Sequence, residues 1–243
     1  MADQSSVNTT PNRERTYPPG YGTVEPVANY RPWDIDREFQ AVYEQVRDCT
    51  MVDIYRLWLL WTLARGLPSG AARGDLLEIG SWRGGSGAVL AAAMQRDAGR
   101  RLFLADTFAG VVKASSRDTY YKGGEHANTS PELVRSLLDG MGLDNVELLV
   151  GTFPDETGHA VEECLFALCH IDVDVYQSAR DAFLWVWPRL VEGGVVVFDD
   201  YGFYGCEGVT ACVEEVASEL DDGIVIPNLT GQAVVVKSGL RGR

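Results

Sequence analysis

The sequence predicts an α/β chain built on a mainly parallel, doubly wound sheet, and three observations carry that expectation. Apolar runs of strand length recur at residues 76–79, 102–105, 146–150, 165–171 and 195–198, with helical text between them. The first run opens into a glycine-rich turn, Gly80-Ser81-Trp82-Arg83-Gly84-Gly85-Ser86-Gly87, followed by a strong helix former at 88–94. Strand, glycine turn and helix form the nucleotide-binding opening of such a sheet. The third observation is the stretch 170–202, HIDVDVYQSARDAFLWVWPRLVEGGVVVFDDYG. Its two apolar runs end in Asp172 and Asp174 and in Asp199 and Asp200, and an amphipathic helical segment joins them. A parallel crossover brings both strand ends, and four carboxylates, to one edge.

The bulk composition is that of a soluble domain with a large core: 243 residues, 46% hydrophobic and 23% charged. A net charge of -14 argues against nucleic acid and anionic membrane as partners. Cys49, Cys164, Cys169, Cys206 and Cys212 are odd in number and form no CxxC, which argues against a disulfide framework or a zinc site. With no secretory signal or run of membrane-spanning length, the expected location is the cytoplasm.

In chain order, residues 1–25 are polar and rich in proline and glycine, and read as a flexible arm. Residues 26–70 read as an N-terminal helical cap, expected to lie over the strand ends or to mediate self-association. Asp34 or Asp36 is expected to cap a first helix and Thr50 a second; Pro68, Ser69 and Gly70 end the region. Residues 71–243 read as the ligand-binding domain. Within it, 107–130 is a long polar, glycine-rich loop, expected to be a lid. Thr129 or Ser130 caps the helix after it. A short helix is expected near 159–163 and another at 208–220. Residues 224–227 and 233–237 supply a closing antiparallel hairpin and bring the count to seven strands.

The glycine turn places helix amides against a ligand's negative group. Trp82 stands where a dinucleotide fingerprint needs its second glycine, which disfavours NAD. The pattern E-x-G-x-x-x-G instead resembles motif one of the S-adenosylmethionine-dependent methyltransferases, with Glu78 suited to an amino-bearing ligand. Asp106 ends the next strand, where an acid accepts hydrogen bonds from ribose hydroxyls. Asp172 and Asp174, at i and i+2, face the same way if the backbone is extended. A site of carboxylate oxygens suits a hard cation such as Mg²⁺. Such a cation lowers the pKa of a bound hydroxyl, and a nearby carboxylate takes its proton. Three acids for the cation and one for the proton match the number present. His170, inside an apolar run, reads as a satisfied core histidine, and His126 as a looser candidate for substrate contact.

HIDVDVY, PRLVEGGVVVFDDYG and the following GC resemble the macrocin O-methyltransferase family, metal-dependent sugar O-methyltransferases of antibiotic biosynthesis. The similarity extends through LLEIGSWRGGS, ADTFAG, TSPELV and RLWLLWTLAR, covering roughly residues 35 to 215. It implies a Rossmann-like methyltransferase fold with one antiparallel strand. The implied cofactors are S-adenosylmethionine and Mg²⁺, and the implied substrate a glycosylated small molecule. It assigns Asp172, Asp199 and Asp200 to Mg²⁺, with Asp172 also near the methyl donor, and makes Asp174 the general base. It gives Asp106, with Thr107 beside it, to the ribose. Glu78, Gly80, Ser81 and Ser86 fall at the methionine end, and Gly151 and Phe153 near the adenine. Where the family commonly has Ser-Thr after its IDxDxY motif, this chain reads Gln177-Ser178-Ala179, a helix-surface change.

Overall fold

The computed structural model describes residues 17–25, 27–67, 74–95 and 99–239. The chain divides into two compact units, residues 1–30 and 31–243. The described part of the first holds a turn in which Tyr21 N donates to the Pro18 carbonyl, and no helix or strand. Residues 1–16 of the expected arm and the break at Pro68 to Gly70 lie outside the described residues.

The second unit begins with α1 (Arg37–Val46) and α2 (Ile54–Gly66). Asp36 caps α1 by accepting from Glu38 N and Phe39 N, both at 3.0 Å. The cap of α2 is Asp53, not Thr50 as the sequence suggests. Thr50 Oγ1 bonds Val52 N in a local turn, so the helix starts later, where Asp53 accepts from Tyr55 N and Arg56 N. Then follow β1 (Asp75–Ile79), α3 (Gly85–Ala93), β2 (Leu102–Asp106), α4 (Pro131–Gly140) and β3 (Val146–Val150). Ser130 caps α4. The chain closes with β4 (Phe166–Ile171), α5 (Tyr176–Val186), β5 (Leu190–Phe198), α6 (Glu207–Glu219), β6 (Gly223–Pro227) and β7 (Ala233–Lys237). The helix expected near 159–163 is a single 3₁₀ turn, Gly158–Val161.

The seven strands run in the order β3-β2-β1-β4-β5-β7-β6, and β7 alone is antiparallel. Alternate strand residues feed two cores. Leu76, Leu104, Leu168 and Val197 pack with α1 to α4, while Leu77, Phe103, Ile171 and Phe198 pack with α5 and α6. Burial on both faces is why these strands read as continuous apolar runs.

Register positions the site. Ile79 pairs with Ile171, and Ile171 with Phe198, so β1, β4 and β5 end level. Asp172 N then donates to the Ile79 carbonyl at 2.9 Å and Asp199 N to the Ile171 carbonyl at 2.8 Å. The strand order reverses between β1 and β4, and a doubly wound sheet opens its ligand crevice at such a point.

Candidate active site

On one side of this crevice the walls are mostly backbone. Gly80 has φ +87°, and a Cβ there would fall 1.7 Å from the Asp172 carbonyl oxygen, so only glycine fits. Ser81 N and Trp82 N both donate to Asp106 Oδ2 at 2.8 Å, and Phe108 N donates to Oδ1 at 2.7 Å. Asp106 thus holds the turn in shape, and its remaining lone pairs can accept from a ligand. Ser81 Oγ is buried without a hydrogen-bond partner. Gly80, Ser81, Ser86, Asp106, Thr107, Gly151 and Phe153 all line one cavity. Glu78 does not reach that wall. It is fully buried beneath the turn, its Oε1 is 2.8 Å from His170 Nδ1, and its Oε2 has no partner.

The other side of the same cavity is made of side chains: Asp172, Asp174, Asp199 and Asp200. The i, i+2 argument for Asp172 and Asp174 does not hold, because Asp174 has φ +64° and sits in a bend rather than on extended backbone. Asp200 shares that φ. Left-handed backbone is uncommon for a residue with a Cβ, and both acids adopt it just beyond the ends of their strands. The acids form two adjoining sets, with Asp172 and Asp200 in hydrogen-bond reach of each other across them. Ligand atoms of His170, Asp172 and Asp199 lie within 4.8 Å of one another, as do those of Asp174, Asp200 and Cys206.

Asp199, 1% exposed, is the most fully partnered of the four. Its Oδ1 accepts from Gln232 Nε2 at 2.7 Å and faces His170 Nε2 at 3.4 Å. Its Oδ2 pairs with Arg56 Nη1. Burial alone would raise its pKa, but Arg56 and His170 outweigh burial and hold it below the usual value. Asp172 and Asp200 are pushed well up by burial and by the neighbouring acids. Burial also raises Asp174, against a hydrogen bond from Tyr121 that lowers it. His170 fits the expected core histidine. Burial would lower its pKa, and the bonds to Asp199 and Glu78 instead raise it to about 10.

The segment 107–130 contributes Gly110, Val111, Val112, Tyr121 and His126 to the cavity wall. Val111 and Gly124 pair it to itself, and Ser178, which with Ala179 is buried rather than on the helix surface as the sequence suggests, donates its Oγ hydrogen to the Val112 carbonyl at 2.9 Å. Buried Asp118 accepts from Tyr176 N, the first residue of α5, at 2.8 Å. Tyr121 Oη lies 3.4 Å from His126 Nε2, and both face Asp174. Sequence reasoning missed Arg56, Gln232 and Asp118. The one available signal was Arg56, set among apolar residues in the first turn of α2, since an arginine on a buried face needs a partner.

The profile of the family described as Macrocin-O-methyltransferase (TylF) matches residues 31–221. The chain is 36% identical over 168 residues to the 8-demethyl-8-(2,3-dimethoxy-alpha-L-rhamnosyl)-tetracenomycin-C 4'-O-methyltransferase of Streptomyces olivaceus, covering 65% of this chain and 64% of that one. It is 31% identical over 172 residues to the Mycinamicin III 3''-O-methyltransferase of Micromonospora griseorubida, covering 65% and 66%. The match therefore spans just under two thirds of the length of these relatives. Among solved structures, the O-methyltransferase NovP superposes with a TM-score of 0.66 at 25% identity, covering 78% of this chain and 82% of that one. CalS11, a calicheamicin methyltransferase, shares the fold at a TM-score of 0.62 and 16% identity, covering 90% and 99%. The matched residues contain β1 to β5, the glycine turn and all four acids, and the chain belongs to the macrocin-O-methyltransferase (TylF) family.

Proposed function

We propose that this protein transfers a methyl group from S-adenosylmethionine to a sugar hydroxyl of a glycosylated natural product, with Mg²⁺ at the acid cluster. The observation that carries this reading is that the glycine turn with Asp106 and the four acids open onto one cavity. The relatives named above support the substrate class, since their names specify O-methylation of glycosylated antibiotics. Two orphaned atoms support the cofactors. Ser81 Oγ, buried at the turn, lacks a partner that the methionine end of the donor would supply. Asp200 Oδ2, buried among carboxylates, suits a hard cation.

Asp172, Asp199 and Asp200 would hold that cation. When bound, it lowers the pKa of a hydroxyl held beside it. The protein's own groups then do the following. Ser81 N and Trp82 N keep Asp106 fixed at the ribose position, with Thr107 beside it. Gly80, Ser81 and Ser86 accept the methionine end, with Glu78 beneath them, while Gly151 and Phe153 flank the adenine. Asp174 removes the hydroxyl proton; burial makes it a stronger base than an exposed carboxylate. Tyr121 and His126 orient Asp174 and close the cavity from segment 107–130, which acts as a lid within the ligand-binding domain of residues 71–243. The N-terminal helices are a surface for self-association. The protein works in the cytoplasm, in keeping with its five free thiols. Among the described residues no helix is long and apolar enough to cross a membrane.

The test is methyl transfer from S-adenosylmethionine to a panel of deoxysugar glycosides and a panel of catechols, with Mg²⁺ or with chelator. Mg²⁺-dependent methylation of glycosides is expected. Turnover confined to catechols sinks the substrate class, and undiminished turnover in chelator sinks the metal.

A further inference from the structure

Two cationic side chains reach Asp199, His170 from within the sheet and Arg56 from the cavity wall, and Arg56 is the one on its Oδ2. Arg56 is 8% exposed and enters from α2. Its Nη1 pairs with Asp199 Oδ2 and lies 4.0 Å from Asp200 Oδ1. Its Nε is 2.9 Å from Asp53 Oδ2, and its Nη2 donates to the Met51 carbonyl at 3.1 Å. The guanidinium carbon stands 5.0 Å from the centre of the Phe203 ring. Every nitrogen is engaged and one face is covered, so the charge is held in place at the cavity wall.

Asp199 Oδ1 is already taken by Gln232 and His170, which leaves Oδ2 as its outward oxygen, and that oxygen belongs to Arg56. A divalent ion at Asp199 must share Oδ2 with the guanidinium or approach closely beside it. We propose that Arg56 is a built-in counter-cation of this cluster: it keeps the acids assembled without a divalent ion and sets, by competition, how tightly that ion binds. The inference rests on the metal-bearing reading above. One positive charge about 5 Å from a divalent ion changes its affinity on the order of tenfold even with water-like screening.

The experiment is Mg²⁺ titration calorimetry on chelator-stripped protein, paired with Tm measured with and without Mg²⁺. Three variants separate charge from shape. Arg56→Gln removes the charge. Arg56→Lys keeps the charge but not the fork. Asp53→Asn preserves helix capping but leaves Arg56 less neutralised. Arg56→Gln is expected to be less stable without the ion, to bind Mg²⁺ about tenfold more tightly, and to gain more in Tm from it than wild type. Arg56→Lys should stay close to wild type in Mg²⁺ affinity, and Asp53→Asn should bind more weakly. Equal Mg²⁺ responses of Arg56→Gln and wild type overturn the inference, as do equal shifts from Arg56→Gln and Arg56→Lys. If Arg56→Gln does not fold, Asp53→Asn decides: weaker binding supports the inference, and unchanged or tighter binding overturns it. Mg²⁺ binding by Arg56→Gln but not by wild type supports competition in its strongest form. No binding by either overturns the metal reading and this inference together, whereas equal binding by both overturns this inference alone.

Discussion

The two walls of the cavity solve the same problem, presenting charge and dipoles to a ligand, with different material. At the ends of β1 and β2 the wall is backbone: amides of Ser81, Trp82 and Phe108 gathered around Asp106. These groups lie within one strand-turn-helix-strand segment, and glycine makes the geometry. At the ends of β4 and β5 the wall is four carboxylates held by side chains from distant elements: Arg56 of α2, Gln232 before β7 and Tyr121 of the segment 107–130. The backbone wall is local and tolerates few substitutions at its turn. The carboxylate wall is assembled from across the fold, and its electrostatics depend on each contributor. The walls touch at Gly80, whose missing Cβ makes room for the Asp172 carbonyl.

That contrast can be broken or sharpened by substitution. Asp174→Asn should lower kcat by roughly 10²- to 10⁴-fold, the contribution of a general base. Affinity for S-adenosylmethionine, measured by calorimetry, should be unchanged; a parallel loss would mean that the walls do not divide the work. Gly80→Ala should destabilise the fold by about 3 kcal/mol in urea titration, because the new Cβ meets backbone at a positive φ. It should weaken donor and Mg²⁺ binding together, since it strikes where the walls meet. Asp106→Ala should cost about 1–3 kcal/mol by orphaning turn amides. Donor affinity should fall while Mg²⁺ uptake stays, and loss of both would dissolve the distinction.

The smallest effect per step is a pH dependence of the carboxylate wall. His170 keeps its proton in the folded state up to about pH 10, while the unfolded chain releases it near 6.5. Its contribution to stability is full below pH 6.5 and is lost as pH rises through about 10, at no more than about 1.4 kcal/mol per pH unit. Asp172 and Asp200, also raised, add a decline of the same sign that begins at lower pH. Urea midpoints of chelated protein should therefore fall from neutral pH toward pH 10, and His170→Asn should flatten that slope. A midpoint that rises over this range would refute the buried charge arrangement.

Much of the backbone wall is legible in the sequence. Gly80, Gly84 and Asp106 announce a turn and its acceptor because the interactions are short-range. The convergence of Asp172 and Asp199 is also legible, since strands joined by a parallel crossover run the same way and end at the same edge. The left-handed bends at Asp174 and Asp200 are not, because residues with a Cβ seldom adopt them and no local pattern signals them. Nor is the partnership of Arg56 and Asp199, separated by 143 residues.

The sequence by itself determined the sheet, its glycine turn and the edge at which the acids collect, because periodicity and turn chemistry act over a few residues. Tertiary structure alone decided how those acids are shared: Asp199 bound by Arg56, Gln232 and His170, and Asp174 turned to meet Tyr121. The physical reason is that a buried charge takes whatever partner packing brings to it, and packing joins elements that the chain order keeps far apart.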